Sequence, residues 1–86
     1  MKLNPDFVTR DMGDTQIMVG VGTSSFSGVV RSNKTAAFIV EQLKKETTAD
    51  QIVQAMLEKY DVDRDKAAAD VDRVLEKLRS INALDE

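Results

Sequence analysis

The 86-residue sequence contains no cysteine and no histidine, and these absences exclude whole classes of function. Without cysteine there can be no disulfide framework and no thiolate metal site. Without either residue there is no Ser-His-Asp triad, no Cys-His pair and no imidazole base near neutral pH. Carboxylates or lysines could still perform acid–base chemistry, but the sequence shows no sign of it. The composition therefore points away from an enzyme.

Long apolar runs and an excess of positive charge are also missing. No stretch approaches the roughly 20 apolar residues that span a bilayer, and the first residues lack the apolar centre of a signal peptide. We therefore expect no membrane partner and, since cysteine is absent, a cytoplasmic location. The net charge of −3 argues against a dedicated nucleic-acid binder. The length predicts one domain, residues 1–86, with a modest core and no enclosed active-site cavity.

The first third of the chain has the alternation of apolar and polar residues that is typical of β-strands. This pattern predicts three strands, at Phe7–Met12, Gln16–Val21 and Ser25–Val30. Turns at Gly13-Asp14 and at Gly22-Thr23-Ser24 separate them, which favours an antiparallel meander. Ser32 and Asn33 end the third strand, and the side chain of either can cap a helix that begins near Lys34.

From about residue 34 onwards the apolar residues recur with helical periodicity. It predicts three helices, at about residues 34–44, 49–60 and 64–81. Thr48 and Gln51 form a capping box at the second helix, and Asp63 is the expected N-cap of the third. Asn82 is expected to end the third helix in a left-handed conformation. A three-stranded meander cannot be stable alone, so the helices must cover one face, which predicts an α+β fold.

The acidic run Asp61-Val62-Asp63-Arg64-Asp65 resembles half of a calcium loop. The glycine needed at the sixth position is Lys66, and the bidentate glutamate needed at the twelfth is Asp72. An acidic turn that caps the third helix is therefore the favoured interpretation, and we predict no metal site.

The third predicted strand is the candidate binding element. If it lies at the edge of the sheet, its unpaired N–H and C=O groups can accept an added strand. Gly28 and the neighbouring serines leave that edge sterically open, and apolar pockets beside a helix would supply affinity. The alternative is a short, hydrated edge, and the residues alone favour neither interpretation. Phe26 and Val30 are, as side chains, more typical of core.

The segment from Asn33 to Ile39 resembles the Leu-Asn-Glu-Thr-Ala-Ala-type motif that opens the first helix of the PqqD-like family. This family comprises the peptide chaperones of pyrroloquinoline quinone biosynthesis and related precursor-peptide recognition elements. The order and spacing of further segments are similar over nearly the whole chain: Asn4-Pro5, Thr47–Ile52, Tyr60–Asp63 and Asp70-Val71. The chain departs from the family pattern at Ser32, where leucine is usual, and at Asn82, where glycine is usual. It also lacks the additional aromatic residue that usually precedes Asn33.

The resemblance implies a winged-helix-like, three-stranded antiparallel sheet followed by three helices, without enzymatic activity or a cofactor. Such a domain would bind the leader segment of a ribosomally synthesised precursor peptide and present it to a modifying enzyme, often a radical S-adenosylmethionine enzyme. In the family the leader adds as a strand beside the third strand, over a groove bordered by the third helix. Carried onto this chain, the implied peptide-binding residues are Ser25, Phe26, Ser27, Gly28, Val29 and Val30 on the strand, and Val71, Arg73, Val74 and Lys77 on the helix.

Three questions stay open. One flank of the third helix carries Asp70, Arg73 and Lys77, the other carries Ala68, Asp72 and Arg79, and the sequence does not show which faces the groove. A winged-helix domain that binds DNA or a transcription regulator is the alternative function, which the acidic balance makes second. Self-association into a weak homodimer through the open edge is the third question.

Overall fold

A computed structural model describes residues 1–21 and 29–86 of the chain. The elements in chain order are β1 (Lys2–Leu3), β2 (Phe7–Met12), β3 (Thr15–Gly20), β4 (Val29–Ser32), α1 (Lys34–Gln42), α2 (Ala49–Lys59), α3 (Arg64–Ser80) and β5 (Leu84–Asp85). The predicted three-stranded antiparallel sheet followed by three helices is confirmed. No helix in the described ranges is long and apolar enough to cross a membrane.

The sheet has the order β2-β3-β4, and both pairings are antiparallel. Its register aligns Val8, Val19 and Val29 in one row across the three strands. Val8 and Val29 are 46% and 60% exposed, so this row lies on the face of the sheet that the helices leave open. We call it the valine row.

The strand β4 continues further than the sequence pattern indicates. We predicted a strand that reaches Val30 and is stopped by Ser32 and Asn33, either of which could cap the helix; Ser32 is instead the last residue of β4, where it pairs with Gln16 of β3 and is buried. Because side chains alternate along a strand, Val30 and Ser32 share the covered face, while Val29 and Arg31 point the other way. The strand is therefore in register with β3 up to the residue before the cap.

The core lies between the covered face of the sheet and the three helices. The sheet contributes Phe7, Met18 and Val30, each less than 9% exposed. The helices contribute their predicted apolar stripes: Ile39, Val40, Ile52, Val53, Met56, Ala67, Val71, Leu75 and Leu78. Burying an aliphatic side chain stabilises the fold by about 1.5–3 kcal/mol, so this layer is the main source of stability.

Polar side chains fix the start of each helix. Asn33, rather than Ser32, caps α1 and accepts a hydrogen bond from the amide of Ala36 at 2.9 Å. Thr48 caps α2 through the predicted capping box. Asp63 caps α3 and accepts from the third amide of that helix at 2.8 Å, which confirms the interpretation of the acidic run as a helix cap.

The end of α3 turns back through a left-handed residue. Asn82 has φ of 64°, as predicted, and its amide donates to the carbonyl of Arg79 at 3.1 Å. The amide of Ala83 donates to the carbonyl of Leu78 at 2.8 Å, which completes a Schellman motif. This turn buries Ala83 and directs β5 against β1, a pairing that the sequence pattern did not reveal.

The left-handed turn predicts that two substitutions of Asn82 have different effects on the free energy of unfolding. Asn82→Ala should lower the free energy of unfolding by about 1 kcal/mol, because alanine adopts the left-handed conformation less readily than asparagine does. Asn82→Gly should not lower it. Urea denaturation of both variants checks this, and equal stabilities for the alanine and glycine variants would contradict the role of the turn.

Candidate functional site

The outer edge of β4 is the first component of the site. Along its inner edge β4 pairs with β3 from Val29 to Ser32. Along its outer edge no other strand of residues 1–21 or 29–86 pairs with it. Since alternate residues of a strand direct their N–H and C=O groups to opposite edges, about half of the main-chain groups of this four-residue strand point outward. The edge can therefore accept an extended segment.

A groove of about 260 Å³ between β4 and α3 is the second component. Its lining consists of Val30, Arg31, Ser32, Ala36, Val40, Arg73, Val74, Lys77 and Leu78. Val30, Val40 and Leu78 are buried and form an apolar floor. Arg73 and Lys77 are exposed and stand at the rim. We call this cavity the β4–α3 groove.

A second cavity of about 190 Å³ adjoins the first, since both are lined by Ala36, Arg73 and Val74. It extends towards the cap of α1 at Asn33 and to Asp70 on α3. The two cavities together form a trough that starts at the edge of β4 and follows α3 past the first turn of α1.

Among the described residues that line the trough there is one carboxylate, and that carboxylate is already paired. The side chain of Asp70 is 11% exposed, and its two oxygens lie 2.7 and 2.8 Å from Nζ of Lys66. Nη1 of Arg73 lies 3.4 Å from the nearer oxygen. Lys66 and Arg73 therefore offset the charge of this buried acid, as a carboxylate removed from water requires.

The structure brings together part of the predicted binding set. Val30, Arg73, Val74 and Lys77 line the same groove. Val29 belongs to the edge strand, but its side chain lies on the opposite face of the sheet, so its main chain is what the edge presents. The flank that carries Asp70, Arg73 and Lys77 faces the trough, which answers the question that the sequence left open.

Val71 does not belong with the others. It is completely buried and packs in the core. The predicted residues Ser25, Phe26, Ser27 and Gly28 lie outside the described residues.

The sequence interpretation missed several groove residues: Arg31, Ser32, Ala36, Val40 and Leu78. Two signals could have found some of them. Alternation continues beyond Val30 to Ser32, and Ala36 lies inside the segment that carries the family resemblance. Arg31 had no signal, because alternation along β4 places its side chain on the face away from the core, and it borders the groove from the strand edge.

Comparisons with known proteins agree with this architecture. The family model described as coenzyme PQQ synthesis protein D (PqqD) matches residues 16–84. A search of curated protein sequences finds no match.

Two solved structures have the same fold. One is TbiB1 in complex with the TbiA(beta) leader peptide, with a TM-score of 0.83 and 21% identity over 99% of this chain and 95% of that chain. The other is lasso peptide synthetase B1 complexed with the leader peptide, with a TM-score of 0.74 and 20% identity over 92% and 89% of the two chains.

The different positions of Val71 and Val74 predict different effects of truncation. Val71→Ala should lower the free energy of unfolding by about 2 kcal/mol, because it leaves a cavity in the core. Val74→Ala, at the half-exposed groove wall, should cost less than about 1 kcal/mol. Urea denaturation of the two variants tests the assignment, which equal losses would contradict.

Proposed function

Because the chain belongs to the PqqD family, we propose that it is a non-catalytic module that captures the leader segment of a ribosomally synthesised precursor peptide and presents it to a modifying enzyme. The leader adds as a strand to the outer edge of β4. The observation that carries this proposal is that β4 has an edge left unpaired by the other strands of residues 1–21 and 29–86, with an apolar groove beside it. The leader peptides named for the two solved structures support it.

Strand addition alone cannot supply useful affinity. The outward residues of β4 offer about four main-chain hydrogen bonds, each with a net value of roughly 0.5–1.5 kcal/mol. A dissociation constant of 1 μM corresponds to about 8 kcal/mol, and ordering a flexible peptide costs further free energy. An apolar side chain seated in the β4–α3 groove must therefore contribute a large share, about 1.5–3 kcal/mol if it is fully buried.

The groove has the chemistry of a binding site rather than of a catalytic one. Its charged lining consists of Arg31, Arg73 and Lys77, and the nearby Asp70 is held by Lys66 and Arg73. None of these arrangements pairs a nucleophile with a base. We therefore propose that the partner enzyme, and not this module, carries out any chemistry on the precursor peptide. No observation favours the DNA-binding alternative.

A larger side chain in the wall of the groove should weaken peptide binding. Twelve-residue peptides selected from a displayed random library are the probe, and calorimetry gives their affinities. Ala36→Leu places a larger side chain in the wall shared by both cavities and should weaken binding at least tenfold. Ala55→Leu, on α2 and outside the trough, should leave the affinity unchanged. The proposal is wrong if the library yields no binder or if both variants bind equally.

Strand addition makes a second, independent prediction about the peptide. Methylation of its backbone nitrogens, one residue at a time, should weaken binding about tenfold or more at alternate positions only, because alternate amides face β4. Calorimetry with the series of methylated peptides measures this period of two. Uniform effects along the peptide would instead indicate binding as a helix or a coil.

A further inference from the structure

The β4–α3 groove is positively charged within a negatively charged protein. The chain carries a net charge of −3, yet the charged residues that line this groove are Arg31, Arg73 and Lys77. Arg73 and Lys77 stand at its rim, whereas strand alternation directs the Arg31 side chain to the other face of the sheet. The apolar floor below them has a low dielectric constant, which strengthens the interaction of the rim cations with an incoming charge.

These rim cations are available to a ligand. Lys77 forms no side-chain ion pair with any of the residues that the structure describes. Arg73 has one such contact, at 3.4 Å to the carboxylate of Asp70, which Lys66 already holds at 2.7 Å. The Arg73 side chain is 76% exposed, so it can turn to another carboxylate at small cost.

The spacing of the cations suits an extended peptide. Arg73 and Lys77 are four residues apart on α3, a rise of about 6 Å along the helix axis. Side chains on one face of a strand recur every two residues, at about 6.6 Å. When an apolar side chain of a strand beside β4 lies on the floor near Val74, the next side chain on the same face lies within reach of the long side chain of Arg73 or Lys77, which line the same groove.

We propose that the groove selects an acidic–apolar peptide segment: an aliphatic or aromatic residue that anchors on the floor, with aspartate or glutamate two positions away on the same face. This inference rests on the proposed function, and it specifies the chemical class of leader. A nucleic-acid backbone would satisfy the cations but would leave the apolar floor and the strand edge without partners.

Charge reversal provides the test. The displayed library is selected on the wild-type protein and on the double variant Arg73→Glu/Lys77→Glu. Wild type should enrich peptides with Asp or Glu two positions from the apolar anchor, and the double variant should enrich Lys or Arg there. Arg10→Glu/Lys45→Glu changes the net charge equally at exposed positions outside the trough and should keep the wild-type preference.

The selected peptides allow a quantitative check. Replacing the enriched Glu by Gln should weaken binding to wild type about fivefold at low salt, and this difference should shrink in 0.5 M NaCl. It should be absent in the double variant. Binding of a 20-base-pair DNA duplex as tightly as the peptides would overturn the inference.

The two proposals fail in different ways. Peptides with an apolar anchor but no charge preference, or an acidic preference that persists in Arg73→Glu/Lys77→Glu, would overturn the acidic–apolar inference and leave leader binding intact. A library that yields no binder on the wild-type protein would overturn the proposed function itself.

Discussion

The pairing of β4 with β3 along one edge is the constraint on which the site depends. Four residues in antiparallel register fix which side chains enter the core and which face outward. Val30 and Ser32 point inward as a result, and α3 closes over them to form the groove. The same pairing uses only one edge of β4, so the open edge and the groove are two results of a single arrangement.

The helix α3 contributes to both stability and recognition, because one of its faces is buried in the core and the adjacent face borders the groove. Val71, Leu75 and Leu78 are buried and anchor the helix in the core. Arg73 and Lys77 project from the adjacent flank to the rim of the groove. The buried stripe sets the rotation of the helix, and that rotation places the cations opposite β4.

The sequence predicted the elements well because each follows from local physics. Strand alternation, the caps Asn33, Thr48 and Asp63, and the left-handed Asn82 all depend on nearby residues. The pairing of β1 with β5 was missed, since two-residue strands have no measurable period. The covered face of β3 was also ambiguous: Ile17 and Val19 are the more apolar pair, yet Gln16 and Met18 are the buried ones.

The site itself was predictable only in part. Helical spacing identified Arg73, Val74 and Lys77 as neighbours but could not separate them from Val71, whose burial is decided by the rotation of α3. Arg31 and Ala36 come from different elements, and it is the tertiary structure that makes both of them border one groove. The hydrogen bond of the Gln16 side chain also depends on tertiary structure. Its Nε2 donates to Glu41 of α1 at 3.2 Å and so links the sheet to the helix layer.

The valine row has a consequence for the reverse side of the sheet. A fourth strand laid beside β4 would set every second one of its side chains next to Val29, in line with Val19 and Val8. A peptide bound at the edge of β4 would therefore enlarge the exposed surface on the opposite face of the sheet and change which side chains that surface contains. A macromolecule that binds only this opposite face would therefore contact different side chains in the peptide-bound and in the free protein.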